Sequence, residues 1–341
     1  MLIALTGAEV ALRFHEVRAL LPPRTHYFHS FIPRRLAALE RLVSVYDRID
    51  VLFVGSSIVM TNVHPLLFDS IVSGESERFV SFNIGMPGIW PSTVHLYLEH
   101  VWMPSARPRM VIQGIRYAEL AATGEAKPTT PVWSGRVEAA WRESDAMTRL
   151  YANAVRHVYL LQYRGAWNSM LDRYRNGWVG TTAGDDAGSV QHGYEPRPVG
   201  IPDVSRWEED LPNDGTCQVN GCAKGFAALR RTIAVARTAG ATYVLLNVPE
   251  DAMRWHGPAA DQRYRAYLAA LRAFAASEGV TFVDPTAGRL GYVPHRLFND
   301  FSHMTAEGSR QFTRAVAERM RPLVAELRSH SRLSPAGFES E

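Results

Sequence analysis

The chain has 341 residues, of which 46% are hydrophobic and 21% are charged. This composition can bury a large core, so it excludes a mainly disordered protein and predicts a globular one with one elaborated domain or two. Lys and Arg are scattered among Asp and Glu, and the formal net charge is only +3. This gives no electrostatic case for nucleic acid as a partner, while a polyanionic glycan stays open.

Residues 1–45 are predicted to form a helical N-terminal segment. Its first twelve residues are apolar apart from Glu9. They are too few to span a bilayer, and they lack the basic start and small-residue cleavage site of a signal peptide. Two interpretations stay open: an ordinary helix, or the last turns of a membrane anchor that begins outside this chain.

Short apolar runs alternate with helical patterns in two parts of the chain, which is typical of strand-helix-strand units in a parallel sheet. Strands are predicted at residues 51–55, 79–83, 110–114, 242–247 and 281–284. Helices are predicted at residues 91–102, 223–238, 261–277 and 305–327. We therefore expect the α/β class: a three-layer α/β/α sandwich around a parallel sheet of about five strands, within residues 46–328.

The alternation breaks after the third strand, where residues 119–221 are predicted to form an insertion. Apolar and aromatic residues at helical spacing are followed by a Gly-, Pro- and Asp-rich loop. Its tryptophans either pack between helices or form a wall that stacks on sugars; they are Trp133, Trp141, Trp167 and Trp178. Asp185-Asp186 indicates a solvated turn rather than a cation site. Residues 329–341 are predicted to be a disordered tail.

The two cysteines, Cys217 and Cys222, lie in a Gly-, Asn- and Asp-rich stretch. They either close a small disulfide loop or remain free thiols. Zinc would need further ligands nearby, and the sequence offers none at a suitable spacing. We therefore expect no metal and no cofactor.

The first predicted strand ends in Gly55-Ser56-Ser57. Ligands bind at the carboxyl ends of strands in an open parallel sheet, and glycine allows a sharp turn there. If a helix begins at this serine, its first amides would favour a developing oxyanion. Taken alone, the segment is better interpreted as a Ser-rich turn.

Asp300 and His303 lie near the C-terminus, three residues apart, just before a predicted helix for which Thr305 is a suitable N-cap. A serine nucleophile needs a histidine base, and that base needs a carboxylate to fix its tautomer and stabilise the imidazolium. The spacing allows Asp300 to reach the far ring nitrogen of His303.

Taken in chain order, these blocks resemble the SGNH (GDSL-type) hydrolase superfamily. Ser57 lies where that family has its nucleophile, and Asp300 with His303 matches its Asp-x-x-His block before the last helix. The sequence NIGMPG at residues 83–88 resembles the block whose glycine donates a backbone N–H to the oxyanion. Gly88 is the predicted donor.

Two positions depart from the family pattern. The Asp that usually follows the first glycine is Ser56, and the Gly-x-Asn-Asp block reads Gly114-Ile-Arg116-Tyr117. Since the missing asparagine is an oxyanion donor in the family, Arg116 either supplies charge-assisted hydrogen bonds there or pairs with a nearby acid.

The Gly-Ser-Ser form is similar to a branch that includes the D-alanyl transfer protein of the teichoic-acid pathway and several exopolysaccharide O-acetylation proteins. The resemblance implies a serine esterase or O-acyl(acetyl)transferase acting on a glycan or similar hydroxyl-bearing substrate. Its catalytic residues would be Ser57, His303 and Asp300, with Ser57, Gly88 and Arg116 around the oxyanion. The alternative is a catalytically weakened domain that binds glycan or scaffolds a membrane acylation complex.

The same resemblance implies a place and a partner. Proteins of that branch are commonly tethered to the outer face of the membrane by one N-terminal helix. We therefore expect an extracytoplasmic protein, periplasmic or at the cell surface, with a membrane acyltransferase as partner. A cytoplasmic location is the alternative.

Four other histidines are candidates for the site. His64 follows Ser57 closely but has no adjacent carboxylate in sequence, and His95 and His100 fall on a helix pattern that indicates packing. His295 either lines the pocket or is a solvated loop histidine, and the second interpretation is favoured.

Overall fold

The computed structural model describes most of the α/β part of the chain. Its described residues are 2–14, 16–17, 27–73, 79–87, 89–121, 222–251, 258–286 and 295–332, with single positions at 146, 150, 154, 157, 158, 160 and 194. The predicted insertion therefore lies outside the described residues, apart from its first three positions and those single ones.

Five parallel strands form one sheet. They are β1 (Val51–Val54), β2 (Ser81–Asn83), β3 (Met110–Ile115), β4 (Thr242–Asn247) and β5 (Thr281–Val283). Their order is β2-β1-β3-β4-β5, and Val51 pairs with Ser81 on one side and Met110 on the other. β2 is added on one side of β1, and β3 and the later strands are added on its other side, so the strand order reverses between β1 and β3. Open parallel sheets bind ligands in the crevice at the carboxyl ends of the strands at such a point.

Helices cover both faces of the sheet. Those described before β3 are α1 (Leu2–Ala11), α2 (Tyr27–Tyr46), α3 (Ser57–Asn62), α4 (Pro65–Val72), α5 (Pro91–Tyr97) and, after a π-helical turn at Leu98–Trp102, α6 (Met103–Ala106). After β3 come α7 (Tyr117–Ala121), α8 (Ala223–Thr238), α9 (Pro258–Glu278), a 3-10 turn (His295–Leu297) and α10 (Ala306–Arg332).

Two hydrophobic cores lie on opposite faces because successive side chains of a strand point in opposite directions. Leu52 and Val54 belong to the core with α2, α5, α8 and α9. Val51 and Phe53 belong to the core with α3, α4 and α10. Every residue of β1 is apolar and buried. This is expected of a strand in the middle of a parallel sheet whose two faces are both covered.

The predicted three-layer α/β/α sandwich with a parallel sheet of about five strands is confirmed. All five strands were predicted, although β1, β2 and β5 are shorter than expected and β3 is one residue longer. Two helices extend further than predicted: α9 begins at Pro258, and α10 continues to Arg332. The boundary placed at residue 329 for a disordered tail was therefore wrong for residues 329–332.

The N-terminal segment contains α1 and α2, in keeping with its predicted helical character. Within the part of the chain that the structure describes, no helix is both long enough and apolar enough to cross a bilayer. Cys222 is disulfide-bonded, and the other cysteine of the sequence, Cys217, lies outside the described residues.

Candidate active site

The turn that carries Ser57 follows β1 directly. Gly55 has φ +148°, a conformation that side chains disfavour, and a Cβ there would lie 2.5 Å from Cγ2 of Val59. A Cβ on Gly114, at the end of β3, would lie 2.4 Å from the same atom. The two glycines therefore let α3 pack against the strand ends, which brings its first residue, Ser57, to the crevice.

Ser56 is the N-cap of α3, and its hydroxyl accepts a hydrogen bond from the backbone N–H of Ile58 at 3.4 Å. Ser57 is thus the first helical residue. Within the described parts of the chain, no group accepts a hydrogen bond from its backbone N–H. That N–H is therefore available to an anionic oxygen that lies beside the Ser57 hydroxyl.

The loop before α10 holds Asp300 and His303. One oxygen of Asp300 accepts hydrogen bonds from the backbone N–H groups of Ser302 (2.9 Å) and His303 (2.8 Å). The same carboxylate contacts Nδ1 of His303, at 2.7 Å from Oδ2. Thr305 accepts the N–H of Gly308, so it caps α10 as predicted.

The structure brings Ser57, His303 and Asp300 into one hydrogen-bonded chain. Nε2 of His303 lies 2.7 Å from Oγ of Ser57, across 246 positions of sequence. Burial opposes ionisation of Asp300, but the hydrogen bond and charge of His303 and the two backbone N–H groups outweigh it, so the pKa of Asp300 falls well below its ordinary value. This carboxylate stays ionised near neutral pH and can hold Nδ1 of His303 protonated, leaving Nε2 to accept a proton.

Asn62 joins the two halves of this site. It is fully buried at the end of α3. Its amide donates to the carbonyl of Ser302 (2.9 Å), and its oxygen accepts the N–H of Met304 (2.9 Å). One side chain therefore holds the residues on both sides of His303 against the helix that begins with Ser57.

The predicted glycine donor, Gly88, lies outside the described residues. The nearby Gly85 is described, and its N–H donates to the side chain of Asn83 at 3.0 Å. Arg35, itself buried, donates to the carbonyls of both residues. The N–H of Gly85 therefore already has a partner within this loop.

Arg116 follows β3 and lies between two acids. Its Nη1 is 3.2 Å from Oε1 of Glu250, and its Nε is 3.5 Å from Oε1 of Glu119. The hydroxyl of Ser56 donates to that same oxygen of Glu119. Of the two roles left open by the sequence, the pairing with nearby acids is the one observed in the structure.

Three of the other candidate histidines have clear structural partners or surroundings. His64 caps α4 by accepting the N–H of Leu67 at 3.3 Å, and its ring stacks on Tyr194. His95 lies in α5, where burial lowers its pKa to about 4, in keeping with a packing role. The interpretation of His295 as a solvated loop residue is wrong, because its Nδ1 lies 2.6 Å from the fully buried carboxylate of Asp251.

Three polar residues of the site were not found from the sequence: Asn62, Glu119 and Glu250. Each is buried and lies directly after, or within, a segment at the carboxyl edge of the sheet. For Glu119 and Glu250, an acidic residue a few positions after a predicted strand is the local signal that could have indicated them. Among the described residues, no group of three or more His, Cys, Asp or Glu side chains is arranged to hold a metal ion.

No family model and no curated protein matches the chain. Two solved structures of similar architecture are TesA and a GDSL-like lipase from Bacteroides thetaiotaomicron VPI-5482. TesA has a TM-score of 0.41 and 14% identity, over 80% of this chain and 99% of its own. The lipase has a TM-score of 0.37 and 10% identity, over 84% of this chain and 98% of its own.

Proposed function

We propose that this protein carries out serine-dependent acyl-ester chemistry, as an esterase or an O-acyltransferase. The observation that carries the proposal is the hydrogen-bonded chain from Asp300 through His303 to Ser57. A carboxylate, an imidazole and a hydroxyl in this order form the arrangement that activates a serine nucleophile. It lies at the crevice where parallel sheets of this strand order bind ligands.

In the first half of the reaction, Oγ of Ser57 attacks the acyl carbonyl while Nε2 of His303 takes its proton. The tetrahedral oxyanion accepts hydrogen bonds from the backbone N–H of Ser57 and, in our proposal, from that of Gly88. The alcohol then leaves with the proton from His303, and the acyl group remains on Ser57. Asp300 stabilises the imidazolium throughout.

In the second half, an acceptor hydroxyl gives its proton to His303 and attacks the acyl-serine. The proton returns to Oγ of Ser57 when the new ester or acid leaves. Water as acceptor makes the protein an esterase, whereas a sugar hydroxyl makes it an O-acyl(acetyl)transferase. The proposed substrate class is an acyl ester together with a glycan or similar hydroxyl-bearing acceptor.

The proposal extends to family and location. We assign the chain to the SGNH type, near its Gly-Ser-Ser branch, and place it outside the cytoplasm with a membrane acyltransferase as partner. The disulfide at Cys222 supports this location, because disulfides persist mainly in oxidising compartments.

A second candidate is a catalytically weakened domain of the same type that binds glycan or scaffolds an acylation complex. The observation that favours it is the pairing of Arg116 with two carboxylates, in the place where the family has an asparagine donor. Losing one oxyanion donor typically costs about 100-fold or more in rate.

A fluorophosphonate probe tests the nucleophile. It should label the wild type and Ser56→Ala, and it should not label Ser57→Ala, because of these two serines Ser57 is the one whose hydroxyl contacts the imidazole of His303. Ser56 is a matched control, since its hydroxyl is adjacent in sequence but donates to Glu119. Labelling that persists in Ser57→Ala would contradict the assignment.

Acetyl release separates the candidates. A chromogenic acetyl ester and acetylated glycans are incubated with the protein, with and without a sugar acceptor. Free acetate alone identifies an esterase, and acetylated acceptor identifies a transferase. Turnover that is absent in the wild type, or unchanged in His303→Ala, favours the binding domain.

A further inference from the structure

A chain of buried polar side chains runs behind the Ser57 turn. It begins at the hydroxyl of Ser56, which donates to Glu119, and continues through Arg116 to Glu250. The side chains of Glu119 and Glu250 are 4% and 0% exposed. These residues follow β1, β3 and β4, so the row of polar side chains crosses the carboxyl edge of the sheet.

At the Glu250 end, this row of buried polar side chains reaches the loop that holds His303. Asp251, which follows Glu250, donates its backbone N–H to the carbonyl of Phe301 at 2.9 Å. The guanidinium of Arg116 lies over the ring of Phe301, 5.2 Å from its centre. Phe301 directly follows Asp300, so Arg116 contacts elements on both sides of the Ser57–His303 hydrogen bond.

Glu119, Arg116 and Glu250 form a buried cluster in which the positive charge of the arginine lies between the two carboxylates. Burial raises the pKa of Glu119, and the charge of Arg116 and the hydroxyl of Ser56 oppose that rise. Burial lowers the pKa of Arg116, but the two carboxylates reverse this and hold it above its ordinary value. Removing one partner of such a buried cluster leaves an unpaired charge, so the cluster resists separation of its members.

We propose that Arg116 is a positioning residue for this site and does not donate to the oxyanion. It holds the turn of Ser57 through Glu119, and it holds the loop of His303 through Glu250 and the ring of Phe301. The inference rests on the proposed function, because it concerns the same nucleophile and base. Displacing a reacting group by about 1 Å can cost on the order of 100-fold in rate, so a brace of this kind affects turnover.

Arg116→Met tests the brace, with kcat and KM measured on a chromogenic ester and the unfolding midpoint measured alongside. We expect kcat to fall about 30-fold while KM changes less than about two-fold, since substrate binding does not use the guanidinium. Arg116→Lys keeps the charge but not the two-sided contact, and we expect an intermediate kcat.

Arg109→Met is the matched control. Arg109 directly precedes β3, and Arg116 directly follows it. The side chain of each is 16% exposed. Arg109 forms an ion pair with Asp50 at 3.4 Å. It lies at the opposite edge of the sheet from the site. We expect this variant to lose stability while its kcat stays at the wild-type value.

A double-mutant cycle separates a brace from a direct donor. Ser56→Ala removes the hydroxyl that donates to Glu119 and caps α3, without touching Arg116, and we expect it to lower kcat about 10-fold. If both residues act through Glu119, the double variant with Arg116→Met falls about 30-fold, close to the larger single effect. A direct oxyanion donor would instead give multiplied losses of about 300-fold.

Three results would overturn the inference: multiplied losses in the cycle, wild-type kcat in Arg116→Met, or wild-type kcat in Ser56→Ala. The last remains decisive if Arg116→Met does not fold. Ser57→Ala is measured in parallel. Turnover that survives in Ser57→Ala would contradict the proposed function itself. If Ser57→Ala loses turnover and one of those three results is also found, only the role of Arg116 is contradicted.

Discussion

Strand β3 has an arginine at each end, and the two arginines have different surroundings. Arg109, at the amino edge of the sheet, pairs with Asp50 and donates to the carbonyl of Leu327 in α10. Arg116, at the carboxyl edge, lies between two carboxylates that are almost fully buried. The first arginine ties a helix to the sheet, whereas the second joins the loops that carry the proposed chemistry.

The carboxyl groups of the two edges differ in the same way. Asp300 at the carboxyl edge accepts several hydrogen bonds, and its pKa is lowered despite burial. Asp69 accepts the N–H of Ser81, the first residue of β2, and burial raises its pKa to about 7. Burial alone therefore favours a neutral carboxyl, and a dense set of hydrogen-bond donors is needed to keep one ionised.

Asp300→Asn should have the largest effect on turnover of the changes that follow. An amide cannot stabilise the imidazolium and does not hold Nδ1 of His303 in the protonated tautomer, so we expect kcat to fall about 10³–10⁴-fold. Steady-state kinetics on a chromogenic ester measures this. A loss of less than about ten-fold would contradict the role of Asp300.

The same variant should change the acid stability. Because the pKa of Asp300 is lower in the folded state, its stabilisation is present above the ordinary value of 3.8 and is lost as pH falls below it. The difference in unfolding free energy between wild type and Asp300→Asn should therefore be larger at about pH 7 than at about pH 3. Denaturant unfolding at the two pH values measures this difference.

Asn62→Ala should have the next largest effect. It leaves the carbonyl of Ser302 and the N–H of Met304 without their buried partner, which costs about 3 kcal/mol of stability. Since those residues flank His303, we also expect kcat to fall about 10- to 100-fold. Denaturant unfolding and kinetics at a temperature well below the midpoint separate the two effects.

Arg109→Met serves as the comparison for Asn62→Ala, because it removes a contact of the amino edge. If both variants lose stability and both keep kcat, the carboxyl edge has no special role in positioning His303. The distinction between the two edges would then fail.

Asp69→Asn should have the smallest effect on turnover, since Asp69 lies at the edge away from the site. It should instead change stability. The pKa of Asp69 is raised to about 7, so its ionisation destabilises the folded state as pH rises from about 4 to about 7. The variant should be more stable than wild type at about pH 8, by on the order of 3 kcal/mol, and this gain should shrink toward about pH 4.

Unfolding free energies of both proteins at intervals between about pH 4 and about pH 8 measure this gain. The amide oxygen that the substitution introduces can still accept the N–H of Ser81, so the contact itself is preserved. A variant that is less stable than wild type at the upper end of this range would contradict the account of Asp69.

Local patterns determined the sheet and the order of the site residues. A strand in the middle of a covered parallel sheet is an apolar run, so β1, β3 and β4 could be predicted from their runs of consecutive apolar residues between helical patterns. Ser57, Asp300 and His303 each lie at a strand end or before a helix, and they were predicted to form one site from the family resemblance that their blocks carry in chain order. These signals are confined to a few neighbouring residues.

Helix ends were predicted less well. The last helix packs on the sheet side through residues such as Val324 and continues past the predicted end at residue 327 to Arg332. The sequence of residues 329–332 is polar on every side and has no such pattern. Helix ends are the least predictable part of an element, because the last turn depends little on the apolar pattern that identifies the helix.

By itself, the sequence determined the α/β architecture and the identities of a serine, a histidine and an aspartate for one site. Only the tertiary structure decided what surrounds them: the bridging amide of Asn62, the pairing of His295 with Asp251, and the two acids that hold Arg116. The reason is physical. Strand and helix patterns depend on neighbours in sequence, whereas the partner of a buried charge is set by folding, which brings Glu250 to Arg116 across 134 positions of the chain.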